Sequence, residues 1–140
     1  MEKLVNEFRQ ILRQFEREIG KQNENCCNTG ISLSQCHLML DIERVEQSSV
    51  TELAKIQNLD KSTVSRTIDN LVNKGYINRK PNPKSRRQSL VSLNEKGKAT
   101  CCDINQINNH FFENVFETLS EKELESFNKV FKKITDTMTE

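Results

Sequence analysis

The chain has little of what enzymes, membrane proteins and secreted domains usually need. Four glycines, scattered singly, build no Gly-rich turn to cradle a phosphate or an oxyanion. Five cysteines and two histidines are the raw material of a nucleophilic site, but no third orienting group stands beside the neighbours Cys36 and His37. Adjacent residues on a helix point about 100° apart. The reading is therefore non-enzymatic. No apolar run approaches the roughly 18 residues of a membrane span. The opening segment Met1-Glu2-Lys3-Leu4-Val5-Asn6-Glu7 is amphipathic rather than charged-then-apolar. These features predict a cytoplasmic protein with no membrane partner. An odd number of cysteines in such a compartment argues against a disulfide framework. There is no internal repeat and no low-complexity segment. Net charge is +1, hydrophobic content 34% and mean hydropathy −0.71. That is low for a monomeric globule, and it fits a mainly α-helical single domain over 1–140 that completes its core by dimerising.

What is present is concentrated between Ser49 and Leu93: two short helices, a strand, a basic turn and a second strand. Asp60 is placed to cap the second helix. Val64, Ile68, Leu71 and Val72 recur at helical spacing as its buried stripe, and Gly75 supplies the left-handed residue that ends it. The other face carries Lys61, Ser62, Thr63, Ser65, Arg66, Thr67 and Asn70. The plain alternative is a solvated face, but such a face favours Glu, Lys and Ala, whereas Ser and Thr are mediocre helix formers. Short hydroxyl and amide groups let a helix approach a DNA groove closely, and Arg66 is suited to a guanine edge. The preceding helix, about Val50 to Gln57, is expected to turn Val50, Leu53, Ala54 and Ile56 inward, with Leu59 plugging the interhelical turn.

After Gly75, residues 76–80 and 88–93 read as two strands around a proline-punctuated basic turn, and both prolines of the chain sit there. From Lys55 to Arg87 nine Lys/Arg stand against two acids, a local surplus of seven in a chain of net +1. A field so polarised is the footprint expected for a polyanion. Lys84, Arg86 and Arg87 are assigned to the DNA backbone or minor groove. A winged helix that only bound protein would be expected to expose apolar anchors here instead.

These pieces carry a resemblance. Leu33-Ser34-Gln35, Val50-Thr51-Glu52-Leu53-Ala54, Asp60-Lys61-Ser62-Thr63-Val64-Ser65-Arg66, Leu71-Val72-Asn73-Lys74-Gly75-Tyr76-Ile77, and Arg86-Arg87 leading to Val91-Ser92-Leu93-Asn94-Glu95-Lys96-Gly97 resemble the MarR family of transcriptional regulators. The resemblance spans residues 32–98 and implies a winged helix-turn-helix with a two-stranded wing, flanked by dimerisation helices at 1–20 and 99–140. It implies a homodimeric regulator, a repressor, of double-stranded DNA. One departure is Ser85, where the family wing carries an acid that helps hold an arginine. The ends suit dimerisation. Leu4, Phe8, Ile11, Leu12, Phe15 and Ile19 form one stripe, and Phe111, Phe112, Val115, Phe116 and Leu119 a second. Ser120 and Glu123 form a capping box ahead of Leu124, Phe127, Phe131, Ile134 and Met138. All seven phenylalanines lie in these terminal helices. Residues 101–140 hold eight acids and four bases, a segment that would stay away from DNA.

The cysteines are Cys26 and Cys27 in the polar loop 22–30, Cys36 beside His37 near the start of the next helix, and Cys101 and Cys102 opening the helix after the wing. At any one position a buried apolar thiol is the simpler reading. Two adjacent pairs are harder to bury, because one member must point away from the core. In metal-sensing members of the family these regions converge, and the resemblance implies Zn(II), Cu(I) or As(III) at a site drawn from Cys26, Cys27, Cys36, His37, Cys101 and Cys102, since thiolates favour soft ions. Thiol oxidation and a small organic effector in the same cleft stand as alternatives. His110 reads as a solvated or capped core-edge residue rather than a ligand.

Overall fold

The computed structural model describes residues 1–26 and 30–139, the side chains of residues 25 and 26 excepted. Six helices and a small sheet follow in the order α1 (Glu2–Cys26), α2 (Leu33–Val45), β1 (Ser48–Ser49), α3 (Val50–Gln57), α4 (Lys61–Asn73), β2 (Ile77–Asn82), β3 (Ser85–Leu93), α5 (Glu95–Phe116) and α6 (Glu121–Met138). No helix among these residues is long and apolar enough to cross a membrane.

Short polar residues fix where each helix starts. Ser32 and Gln35 form a capping box on α2, Ser49 and Glu52 on α3, and Ser120 and Glu123 on α6. Each box satisfies two N–H groups that a helix start leaves unpaired. Only the last was legible beforehand. Ser48 also donates to the Glu52 carboxylate at 3.0 Å, and these bonds hold that carboxyl below the usual carboxylate range. Asn58, left-handed at φ 51°, ends α3, and the Leu59 N–H donates to the Ala54 carbonyl at 3.1 Å.

The sheet is antiparallel in the order β1-β3-β2. A third strand was not foreseen. Ser48 and Ser49 pair with Val91 and Leu90 and pass straight into the α3 cap, too briefly to show any alternation. The wing strands are longer than expected and leave only Pro83 and Lys84 as the turn. Pro81 lies within β2 opposite Ser89, tolerated because β2 is an edge strand.

The core is drawn from Ile31 to Ile104. Leu38, Met39 and Ile42 of α2 meet Leu53 and Ala54 of α3, Val64, Ile68 and Leu71 of α4, Val91 and Leu93 of β3, and Cys101 and Ile104 of α5. Val50 and Val72 pack at its edge. Ile56 and Leu59 point outward instead, against expectation. With three turns or fewer, α3 has room for one buried stripe, and Leu53 and Ala54 take it. Gly97 lets α5 pass against the sheet. A Cβ there would fall on the Tyr76 carbonyl oxygen and lie 3.2 Å from Leu93 Cδ2. Alanine gains about 1 kcal/mol over glycine in helix propensity, yet this clash meets backbone that cannot swing aside. Gly97→Ala is expected to lose a net 1–2 kcal/mol or so, an overpacking cost, read as a lower urea midpoint at fixed protein concentration.

Neither α1 nor α6 contributes a residue to that core. Along α1 only Leu12 and Ile19 of the apolar stripe are half-buried, and α6 has no buried side chain. α1 also runs six residues beyond the expected boundary at 20, so Cys26 ends a helix instead of lying in a loop. α5 begins at Glu95, which places Cys101 and Cys102 in its second turn and not at its opening.

Candidate nucleic-acid interface

Helix α4 starts at Asp60, whose carboxylate accepts from the Thr63 N–H at 3.0 Å, the Thr63 hydroxyl at 2.6 Å and the Ser62 hydroxyl. Those bonds, the Ser62 hydroxyl first, hold the Asp60 carboxyl well below the usual range. Asp60 therefore stays ionised across the neutral range and its cap persists there. The helix ends in a Schellman motif. Gly75, at φ 82°, donates to Val72 at 3.0 Å and Tyr76 donates to Leu71 at 3.0 Å.

The outer face is more internally committed than its composition implied. Ser62 and Thr63 spend their protons on Asp60, and the Thr67 hydroxyl donates to the Thr63 carbonyl at 3.1 Å. Their oxygens remain acceptors only. Lys61, Arg66 and Asn70 are exposed and Ser65 is half-buried, and these four have no side-chain partner among the described residues. They carry the donors this face presents outward.

One cleft of about 530 Å³ joins α4 to the wing, lined by Val50, Lys61, Ser62, Ser65, Arg79, Arg87, Gln88 and Ser89. Three cations and three hydroxyls thus share a concave surface at the N-terminal half of α4. Arg79 is the residue that sequence reasoning left out of the site. It donates to Asp69 of α4 at 2.6 Å, which aims its guanidinium along the cleft wall. An exposed pair like this adds little stability. The available signal was an unpaired acid on a basic helix face followed by an arginine on the next strand. Register between β2 and β3 slips between Pro81 and Asn82, whose partners are Ser89 and Ser85. Residues 86–88 fall in that irregular stretch. Arg86 and Arg87 are exposed and no described residue forms an ion pair with either, which matches the loss of a wing acid at Ser85. The Lys84 N–H donates to Asn82 Oδ1 at 3.0 Å and turns the wing tip.

Of the six thiol and imidazole candidates, the four whose side chains are described do not come together. Cys36 and Cys101 are buried in the core, and burial, aided by the charge of Glu43, pushes the Cys101 thiol up to about 12. His37 is exposed and faces another cleft, shared with Asp41, Gln57, Thr63 and Thr67. Cys102 is exposed and accepts from Gln106 Nε2 at 3.8 Å. The Cys26 side chain and Cys27 lie outside the described residues. Among the described residues no three His, Cys, Asp or Glu side chains converge as metal ligands. His110 is exposed, 3.4 Å from Asn114 Nδ2.

Comparison with known proteins places this arrangement. Residues 31–89 match the MarR family model. The chain is 32% identical over 96 residues to the Bacillus subtilis (strain 168) protein described as "Uncharacterized HTH-type transcriptional regulator YdgJ", covering 66% of this chain and 57% of that one. It is 32% identical over 85 residues to the multiple antibiotic resistance protein MarR of Escherichia coli (strain K12), covering 61% of this chain and 59% of the relative. The matched stretch therefore spans somewhat over half the length of each curated relative. The structure of an E. coli MarR mutant complexed with operator DNA superposes at TM-score 0.78 with 25% identity, over 94% of this chain and 95% of that one. Streptococcus pneumoniae FabT in complex with DNA gives TM-score 0.82 at 20% identity over 99% and 97%, a likeness of fold. The winged lobe over residues 31–89 is thus that of the MarR family, and nearly the whole chain shares the winged helix-turn-helix fold of a MarR protein.

Proposed function

We propose that the protein is a sequence-specific DNA-binding transcriptional regulator that acts as a homodimer and represses by occupying its operator. The observation that carries this reading is the cleft in which Lys61, Ser62 and Ser65 of α4 meet Arg79 and Arg87 of the wing. α4 enters the major groove with Lys61, Ser65, Arg66 and Asn70 toward base edges, and Ser62, Thr63 and Thr67 as acceptors. Lys84, Arg86 and Arg87 neutralise phosphates. The operator complex of the MarR relative, alike over most of its length, supports the assignment. Two copies related by a two-fold axis address successive major grooves about 10 base pairs apart, on a pseudo-palindrome.

The wing assignment has a direct test. Arg87→Ala is expected to weaken binding to every sequence alike and to lower the slope of log K against log salt by about one per wing in contact. Anisotropy at several salt concentrations reads both, and an unchanged affinity and slope would remove Arg87 from the interface. For the effector, the described residues do not form the soft-metal site implied for Zn(II), Cu(I) or As(III). Among the described thiols, a thiol-directed effector would act on Cys102, which is exposed while Cys36 and Cys101 are buried.

A further inference from the structure

Lys74 is one of the nine cations between Lys55 and Arg87, and its ammonium is committed to the start of α2. It donates to the Gly30 carbonyl at 2.7 Å and to Gln35 Oε1 at 2.9 Å. Gln35 is 8% exposed, and the same oxygen accepts the Ser32 N–H at 3.1 Å in the α2 capping box. One lysine therefore ties the C-terminal end of α4 to the start of α2, across about 40 residues of sequence. From the other side, three successive carbonyls at this helix end are held by the first turn of α5. Lys96 Nζ donates to Lys74 O at 3.1 Å, Asn94 Nδ2 to Gly75 O at 2.7 Å, and the Asn94 N–H to Tyr76 O at 3.1 Å. Lys96 Nζ also sits 4.4 Å from the centre of the Tyr76 ring.

The far end of α4, which lines the cleft, has no comparable anchor. Val64 holds that end in the core by packing alone, and among the described residues the other cross-element hydrogen bond of α4 is the exposed pair Asp69–Arg79 in its C-terminal half. Thirteen residues at 1.5 Å rise make α4 about 20 Å long, hydrogen-bonded to α2 and α5 at its C-terminal end and lining the cleft with its N-terminal half. We infer that Lys74 is a positioning residue: it fixes the angle of α4 against α2 and α5, and through the dimer the half-site spacing that the protein accepts. The inference rests on the DNA-binding reading above. It assigns Lys74 no contact with DNA, because two of its three protons are already committed inside the protein.

Lys74→Met keeps the apolar stem and removes the charge. Hydrogen exchange on the full-length protein tests the link without DNA: peptides covering residues 30–36 and 73–77 are expected to exchange about tenfold faster together, the local cost of a lost charged hydrogen bond. Operator affinity should then fall about three- to tenfold, as should the preference for native spacing over an operator with one inserted base pair. The salt slope should stay unchanged. Gln35→Leu, which cuts the same link from α2, should copy these effects, and Lys74→Arg should restore part of them. Unchanged exchange at 30–36 in Lys74→Met would overturn the inference. So would a salt slope reduced by about one with spacing preference intact, the mark of a direct phosphate contact. Failure of the wild-type protein to bind any DNA would sink the DNA reading and the spacing role with it, whereas the exchange result decides the link on its own.

Discussion

Aspartates at Ile11 and Phe15 should turn the proposed dimer into monomers and lower operator affinity by about 10²- to 10⁴-fold, the avidity lost when one half-site must be held alone. The argument starts from what α1 and α6 leave uncovered. Ile11 is 66% exposed and Phe15 44%, on a stripe with Leu4 and Phe8, while Val130 of α6 is 59% exposed and Phe127 49%. Phe127 and Phe131 stack at 5.3 Å along α6, a ribbon of apolar surface with nothing over it in the single chain. Contiguous apolar faces on this scale mark interaction sites, and an 18-residue helix without tertiary support is barely stable in water. In the proposed homodimer a second copy supplies the cover. Because these residues lie outside the winged-lobe core, the variant should keep that lobe folded. Sedimentation at micromolar concentration would show the change of state. A variant that remained dimeric would place the interface elsewhere.

Arg66→Ala should cost discrimination more than grip. Arg66 is exposed on the outer face of α4, one turn before Asn70, with no side-chain partner among the described residues. A bidentate arginine–guanine contact contributes about 1–3 kcal/mol of selectivity, and a two-fold dimer makes it twice. The ratio of operator to scrambled-DNA affinity should fall about tenfold or more per half-site, while binding to scrambled DNA changes little. Equal losses on both DNAs would move Arg66 to the phosphate backbone. Arg87→Ala makes the complementary comparison, since a wing contact to phosphate weakens both alike.

The central helices were legible because their signals agree. Val64, Ile68 and Leu71 keep strict helical spacing, Asp60 caps and Gly75 terminates, and all hold in the structure. What was not legible depends on space rather than pattern. Ser48 and Ser49 carry no strand signal, and only the proximity of Leu90 and Val91 makes them one. Ile56 and Leu59 are apolar enough for a core that α3 is too short to offer them. Along the recognition face, composition gave the hydroxyls but not their partners. Asp60 and the Thr63 carbonyl, both within a turn, claim the protons of Ser62, Thr63 and Thr67. Arg79 and Lys74 look alike in sequence, two cations in a basic stretch. The first lines the cleft and the second is drawn inward by Gly30 and Gln35. Among the described members of the cysteine pattern, helix geometry separates neighbours. Cys36 faces the core while His37 faces out, and Cys101 is buried while Cys102 is not.

The most direct test of the central claim is binding of the reduced wild-type protein to duplex DNA from upstream of its own gene, followed by anisotropy across a salt series with scrambled duplex as competitor. The account predicts saturable binding by a dimer, preferred over scrambled DNA by about 10³-fold or more, with affinity that falls steeply as salt rises. Binding that ignored salt, or that did not distinguish the two duplexes, would contradict it.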